Sequence, residues 1–297
     1  MPEESENDAK KQAEVALQME IMSLYESLNS RGDPDGIDFV GSTAQAIAYE
    51  RSLESKRDDR LFNDHLAEHF IGTKGEKCSK MVNLHLGVAT GIDNVHLGYT
   101  AARTKLINDE LERWIDQKAG SDKLQVVNLG AGVDTRAFWV DALKKVESYV
   151  EVDTEAVNNF KSTKLDSLNA TPLCSRLVVS QDFSKESVKN LPKHGFDAPS
   201  LTCWILEGLV MYLTKEVNLQ MMNEITDLSK SGSFLILNFA DKPNGPMGTI
   251  EDMSAVLKER GWIHEKTLFY GDAEFDFGRF QKRNKPTTLG FAFYKLA

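Results

Sequence analysis

Along roughly the first 120 residues the apolar positions recur every three or four, with no sustained strand alternation. Helical spacing runs through Val15 to Leu28, Thr43 to Leu53 and Leu61 to Phe70. It returns from about Thr100 to Lys118, where Leu106, Ile107, Leu111, Trp114 and Ile115 share a stripe and Asp109, Glu110, Glu112 and Arg113 face away. Between the first two helices, Asn29 to Gly36 stacks turn formers and reads as a mobile hinge, with Ser42 or Thr43 placed to cap the helix that follows.

From Leu124 the character changes: short apolar runs alternate with amphipathic stretches, the pattern of strands joined by crossover helices. Strands are expected at Gln125–Leu129, Ser148–Val152, Ser175–Ser180, Leu201–Leu206 and Phe234–Phe239. Helices are expected at Thr135–Lys144, Glu155–Leu168, Lys185–Asn190, Lys215–Ser229 and Ile250–Arg260. The runs VVNL, LTCWIL and FLILNF are apolar on both faces, as in a parallel sheet with helices on either side. Two last extended segments, Ile263–Phe269 and Thr287–Lys295, fit a hairpin edge. The organisation expected is therefore α/β, with a tail and helical lid over residues 1–120 and a ligand-binding core over 121–297 that form one compact unit.

Charge narrows the partners. With 35 lysines and arginines against 45 acids the net charge is −10, so no basic field exists to attract nucleic acid or an anionic membrane. Cys78, Cys174 and Cys203 are scattered and odd in number, which excludes a disulfide framework and suggests a reducing compartment. The polar, acidic start MPEESENDAKK reads as a solvated tail and lacks the apolar stretch of a secretory signal, and Leu201–Leu213 is too short to span a bilayer. A cytoplasmic location is expected.

The strongest chemical signal is VVNLGAGVDTR from Val126, a strand running into a GxG turn. Gly130, Ala131 and Gly132 there let a ligand approach the backbone closely at the carboxyl edge of the sheet, although such turns also serve packing alone. Thr135 stands where a dinucleotide fold needs a third glycine, which argues against nicotinamide and flavin. About twenty residues on, the second strand ends at Asp153, placed to accept from ribose hydroxyls or to cap the next helix. After the third strand, Gln181, Asp182 and Phe183 offer an amide, an acid and an aromatic face to an adenine, and Asp182 also suits a helix cap. Glu207 lies among apolar residues and needs a partner, supplied by a ligand amine, a sulfonium or an arginine. Tyr212 follows five residues later, as a reactive-end tyrosine or a core one. Arg103 reads as surface on sequence grounds alone, but its guanidinium also suits a two-pronged clamp on a carboxylate. His65 and His69 have helical spacing without an HExxH pattern, so no metal is expected.

NLGAGVDTR, EVD from Glu151 and LEGLVMYLT from Leu206, with the weaker TAQAIAYERSLESKRDDRLFNDHLA from Thr43 and ARTKLINDEL from Ala102, resemble the leucine carboxyl methyltransferase family in order and spacing over about residues 40–240. The resemblance implies a doubly wound, mostly parallel seven-stranded sheet of the Rossmann-like class I methyltransferases, with an N-terminal helical lid. It implies S-adenosylmethionine as cofactor and S-adenosylhomocysteine as product. Gly130 and Gly132 would then flank the methionine moiety, with Arg103 on its carboxylate and Glu207 at its amino group, and Ala131 and Asp134 would also bind the cofactor. Asp153 would bind the ribose, Gln181, Asp182 and Phe183 would meet the adenine, and Tyr212 would position the substrate. The chain departs from protein-methylating members in lacking an assignable lysine in the entry segment and in having Gln181 before the adenine-site acid, which favours a small-molecule acceptor over a protein tail. The expected reaction is methyl transfer to a carboxyl or hydroxyl oxygen. A carboxylate needs no base, whereas a hydroxyl profits from one such as Tyr212, His85 or His96. The competing classes are a protein carboxyl methyltransferase and a noncatalytic member that only binds cofactor or partner.

Overall fold

The computed structural model describes residues 2–28, 35–36, 39–90, 95–120, 123–240, 245–280 and 288–297, including every side chain among them except those of 2–14, 39 and 88–90. Strands β1 (Leu124–Leu129), β2 (Ser148–Asp153), β3 (Ser175–Ser180), β4 (Leu201–Leu206), β5 (Phe234–Ala240), β6 (Trp262–Phe269) and β7 (Leu289–Leu296) form one sheet. Its order is β3-β2-β1-β4-β5-β7-β6. The first five are parallel, and β7 runs antiparallel between β5 and β6. This is the doubly wound, mostly parallel sheet that the apolar runs imply. The first residue expected for the last strand, Thr287, lies outside the described residues.

Side chains alternate across the sheet, and both faces are buried. Val126, Tyr149, Cys203, Ile205, Phe234 and Ile236 face a core shared with α4 (Val95–Lys118) and α5 (Glu155–Ser167). Val127, Val150, Trp204, Leu206, Leu235 and Leu237 face the other, shared with α6 (Lys215–Asp227) and α7 (Ile250–Glu259). A third small cluster, Leu28, Ala46, Cys78 and Met81, joins α1 (Pro2–Leu28), α2 (Phe39–Ser55) and α3 (Gly75–Thr90).

Several helical expectations need correction. The start of the chain, read as a tail, is helical from Pro2. The helix after the hinge starts at Phe39, so Ser42 and Thr43 lie within its first turns; Thr43 Oγ1 donates to Val40 O at 2.6 Å instead of capping. Residues 29–34 of the hinge fall outside the described residues. The stretch expected as a helix over 61–70 is irregular up to a 3₁₀ turn at Ala67–Phe70, because Asp64 Oδ1 accepts from the Leu66 and Ala67 amides and breaks the ladder, so His65 and His69 do not share a helical face. Thr135–Lys144 is two 3₁₀ turns, Arg136–Phe138 and Asp141–Lys145, since Arg136, Ala137 and Phe138 are all buried and leave no solvent face for a helix. Lys185–Asn190 gives way to a 3₁₀ stretch, Val188–His194, which contains Pro192. No helix among the described residues is long and apolar enough to cross a membrane.

Candidate functional site

The order of strands reverses between β1 and β4, and open α/β sheets bind ligands at the carboxyl ends of the strands beside such a point. A cavity of about 590 Å³ opens there. Its floor is the turn after β1, strapped to the end of β2 by the Gly130 and Ala131 amides, which donate to Val152 O at 2.9 and 3.1 Å. Gly130 and Gly132 have φ of +69° and +50°, and a Cβ on Gly132 would stand 3.0 Å from the Ala44 Cβ of α2. Asp153, at the tip of β2, accepts from the Gly132 amide at 2.7 Å with one oxygen and from the Thr154 amide at 2.7 Å with the other.

At the β3 side, the Gln181 amide nitrogen donates to Asp153 O at 2.9 Å. Its side chain is buried, and Nε2 finds no partner among the described residues. Asp182 lines the cavity but turns its carboxylate onto Ser184 and Lys185 Nζ, whose hydrogen bonds hold its pKa down at about 2. Asp182 thus closes a local turn and does not cap the next helical stretch, whose N-cap is Ser187, accepting from the Lys189 amide. Phe183 packs its half-buried ring against the α6 and α7 face of the sheet.

Past β4 the site is built on buried charge. Glu207 is engaged by three arginines: Arg136 Nη1 donates at 2.6 Å, Arg103 Nε lies 2.8 Å away, and Arg51 Nη2 reaches both oxygens at 3.2 Å. The Arg103 contact is electrostatic, because that N–H does not point along it. Asp134 accepts from Arg136 Nη1 at 2.8 Å, Arg51 Nη1 at 3.2 Å and Asn128 Nδ2 at 2.8 Å. Burial alone would raise both carboxyls; the guanidiniums outweigh it, taking Glu207 down to about 2 and Asp134 well below the ordinary carboxylate range. Of the partners open to Glu207 on sequence grounds, arginine is the one found. Tyr212, half-exposed, donates to Thr43 Oγ1 at 3.2 Å and so links the segment after β4 to α2.

Comparison with known proteins converges on one family. The family model described as leucine carboxyl methyltransferase matches residues 44–226. The chain belongs to the leucine carboxyl methyltransferase family. It is accordingly an S-adenosylmethionine-dependent methyltransferase, with that nucleotide as cofactor and S-adenosylhomocysteine as product. Similar curated proteins are putative S-adenosyl-L-methionine-dependent methyltransferases of Parafrankia (33% identical, covering 72% of this chain and 67% of that one) and Streptomyces coelicolor (36%, covering 68% and 66%). The chain spans about two thirds of the length of each. Among solved structures, a DUF574 family protein from Streptomyces avermitilis is a remote likeness, 12% identical over 86% of this chain and 97% of that one with a TM-score of 0.49.

The methyltransferase draws Arg103, Asp134, Asp153, Gln181, Asp182, Phe183, Glu207, Tyr212 and the Gly130–Gly132 turn around one cavity. Sequence reasoning missed Arg51 and Arg136. The signal for Arg51 was a cation set among Ala46, Ile47, Ala48 and Leu53 on a helix; that for Arg136 was a cation two residues after Asp134, directly before the apolar Ala137–Val140. It also missed Glu50, which grips His96 across the helical layer. Among the described residues no group of three metal-ligating side chains occurs, and the three cysteines are unbonded.

Proposed function

We propose that the protein transfers a methyl group to an oxygen of a small molecule held between the sheet edge and a lid formed by about residues 1–120. The observation that carries this reading is the single cavity in which the glycine turn, Asp153 and the partnerless Gln181 amide meet the arginine cluster. The residues suit S-adenosylmethionine: a turn without Cβ atoms at its closest approach, a carboxylate at the β2 tip for the ribose, and an unsatisfied buried amide beside the adenine position. Arg103 and Arg51 supply positive charge for the methionine carboxylate. Glu207, already paired, chiefly holds those guanidiniums in place, and its lining position leaves it beside the amino group.

The bound sulfonium supplies an electrophilic methyl. The protein's share is to align the acceptor oxygen with it and to exclude water. Tyr212, through Thr43, closes the mouth and positions the acceptor. The unbonded thiols support a cytoplasmic setting. Calorimetry with S-adenosylmethionine and S-adenosylhomocysteine, with reduced nicotinamide as control, tests the reading: binding of both sulfur nucleotides and not of nicotinamide is expected. A folded sample that binds neither would leave a noncatalytic member of the family.

A further inference from the structure

The end of the cavity away from the nucleotide turn is walled by α2, α3 and the first turns of α4. Ile47, Met81, Val82 and Leu86 make it apolar, and two imidazoles, His85 and His96, interrupt it. Behind His96 stands Glu50, whose side chain is fully buried. Glu50 accepts from Ser79 Oγ at 2.6 Å, from Asn83 Nδ2 at 3.0 Å and from Thr100 Oγ1, and its oxygens lie 2.8 and 3.0 Å from His96 Nδ1. Asn83 Oδ1 in turn accepts the His96 and Leu97 amides at 3.0 and 3.2 Å, which fixes the start of α4 against α3. Burial would raise the Glu50 carboxyl, but His96 and the donors around it hold it below its ordinary value, so it is ionised at neutral pH.

An ionised carboxylate has no proton to give, so a neutral His96 must present Nδ1–H to it and carry its lone pair on Nε2. No described residue hydrogen-bonds Nε2, and the residue lines the cavity. Tyr99 packs beside the ring, the two centroids 6.1 Å apart, and His85 and Arg103 line the same cavity. His96 and Arg103 stand two turns apart on α4, an axial rise of about 10 Å, and both line the cavity.

We infer that His96, oriented by Glu50, is the general base for a hydroxyl acceptor, so that the substrate is an apolar phenol or alcohol and not a carboxylic acid. The inference rests on the methyltransferase reading above. As the acceptor oxygen bonds to the methyl carbon, the carbon–sulfur bond breaks with its electron pair passing to sulfur. The hydroxyl proton moves to Nε2, and the imidazolium so formed is neutralised by Glu50. A carboxylate acceptor has no proton to give up and would meet a buried carboxylate behind the imidazole.

The test uses the full chain, labelled S-adenosylmethionine, and pairs of aromatic acceptors that differ only in a phenolic hydroxyl or a carboxylate, extended by a series of phenols of graded acidity. The hydroxyl members are expected to be methylated and the carboxylates not. His96→Asn is expected to slow weakly acidic phenols by about 100-fold or more, with S-adenosylhomocysteine affinity within about twofold of the wild type. The deficit should shrink for the most acidic phenols, which are ionised unaided; a merely structural histidine would lose the same factor across the series. Methylation of the carboxylates, or a uniform deficit, overturns the assignment. Nitrogen-15 shifts of His96 in the S-adenosylhomocysteine complex give a second readout that needs no acceptor: a neutral ring protonated at Nδ1 supports the assignment, and a ring protonated at Nε2, whether neutral or as the imidazolium, overturns it. Failure of S-adenosylhomocysteine to bind is a separate result, and it would overturn the methyltransferase reading itself.

Discussion

Asp153 braces the glycine turn with one carboxylate oxygen and the start of α5 with the other, so its position is fixed before any ligand arrives. Asp153→Ala is expected to weaken S-adenosylhomocysteine binding by about 1–3 kcal/mol, the scale of a lost hydrogen bond to a charged group, as read by calorimetry. An unchanged affinity would restrict Asp153 to bracing the turn. Tyr212→Phe is expected to leave that affinity alone and to lower turnover, because among the described residues the lost hydroxyl bonds Thr43 and no nucleotide-end group. Loss of cofactor binding in a folded variant would move Tyr212 to the nucleotide end. Residues at the strand tips were legible in the sequence because glycine and a following acid mark the carboxyl edge. Arg51, Arg136 and Glu50 were not, since a charge that is buried and paired looks in sequence like one that is solvated.

Between elements, the buried guanidiniums act as bolts. Arg136 joins the turn after β1 to Glu207 at the end of β4 and, through Nε at 2.7 Å, to Asn108 of α4; Arg51 of α2 reaches the same two carboxylates and Thr104 of α4. Arg136→Met removes the fully buried guanidinium that bridges Asp134 and Glu207. It is expected to cost about 3–5 kcal/mol of stability, measured by urea unfolding; a loss below about 1 kcal/mol would mean that Arg51 and Arg103 neutralise both acids unaided. The same burial explains which elements could be read in advance. The central strands β4 and β5, covered on both faces, are largely apolar, and β3 and β4 fall where the pattern puts them, with β1, β2 and β5 only one residue longer. α3 was missed because it buries polar Ser79 and Asn83 around Glu50 alongside Cys78 and Met81, which erases its stripe. α4 begins five residues before its expected start because Gly98 interrupts the pattern where the helix passes Arg279; a Cβ at Gly98 would sit 2.4 Å from the Arg279 carbonyl oxygen.

For the molecule as a whole, Glu50, Asp134 and Glu207 are all held below their ordinary values in the fold. In the unfolded chain such groups titrate near pH 4, so below about pH 5 the unfolded state takes up protons that the folded state refuses, and stability falls with pH. Asp64, raised by burial, has the opposite sign and softens the slope. Urea midpoints are expected to agree at pH 7 and pH 5 and to drop at pH 3; a level profile would mean that the network does not depend on ionised carboxylates.

The arginine cluster also bears on how the protein is handled in the laboratory. Among the described residues the three guanidiniums form ion pairs with two carboxylates, Asp134 and Glu207, which leaves one positive charge that these pairs do not cancel. Small carboxylates such as acetate and formate present the group this surplus attracts, so a buffer containing them is itself a competing ligand. Exchanging chloride for formate is expected to raise the melting temperature of the ligand-free protein and to weaken the apparent affinity for S-adenosylhomocysteine, both effects disappearing in Arg103→Gln. Insensitivity of both quantities to formate would show that the surplus charge is neutralised from outside the cluster. If the effects are found, affinities measured in acetate understate the protein's grip on its cofactor.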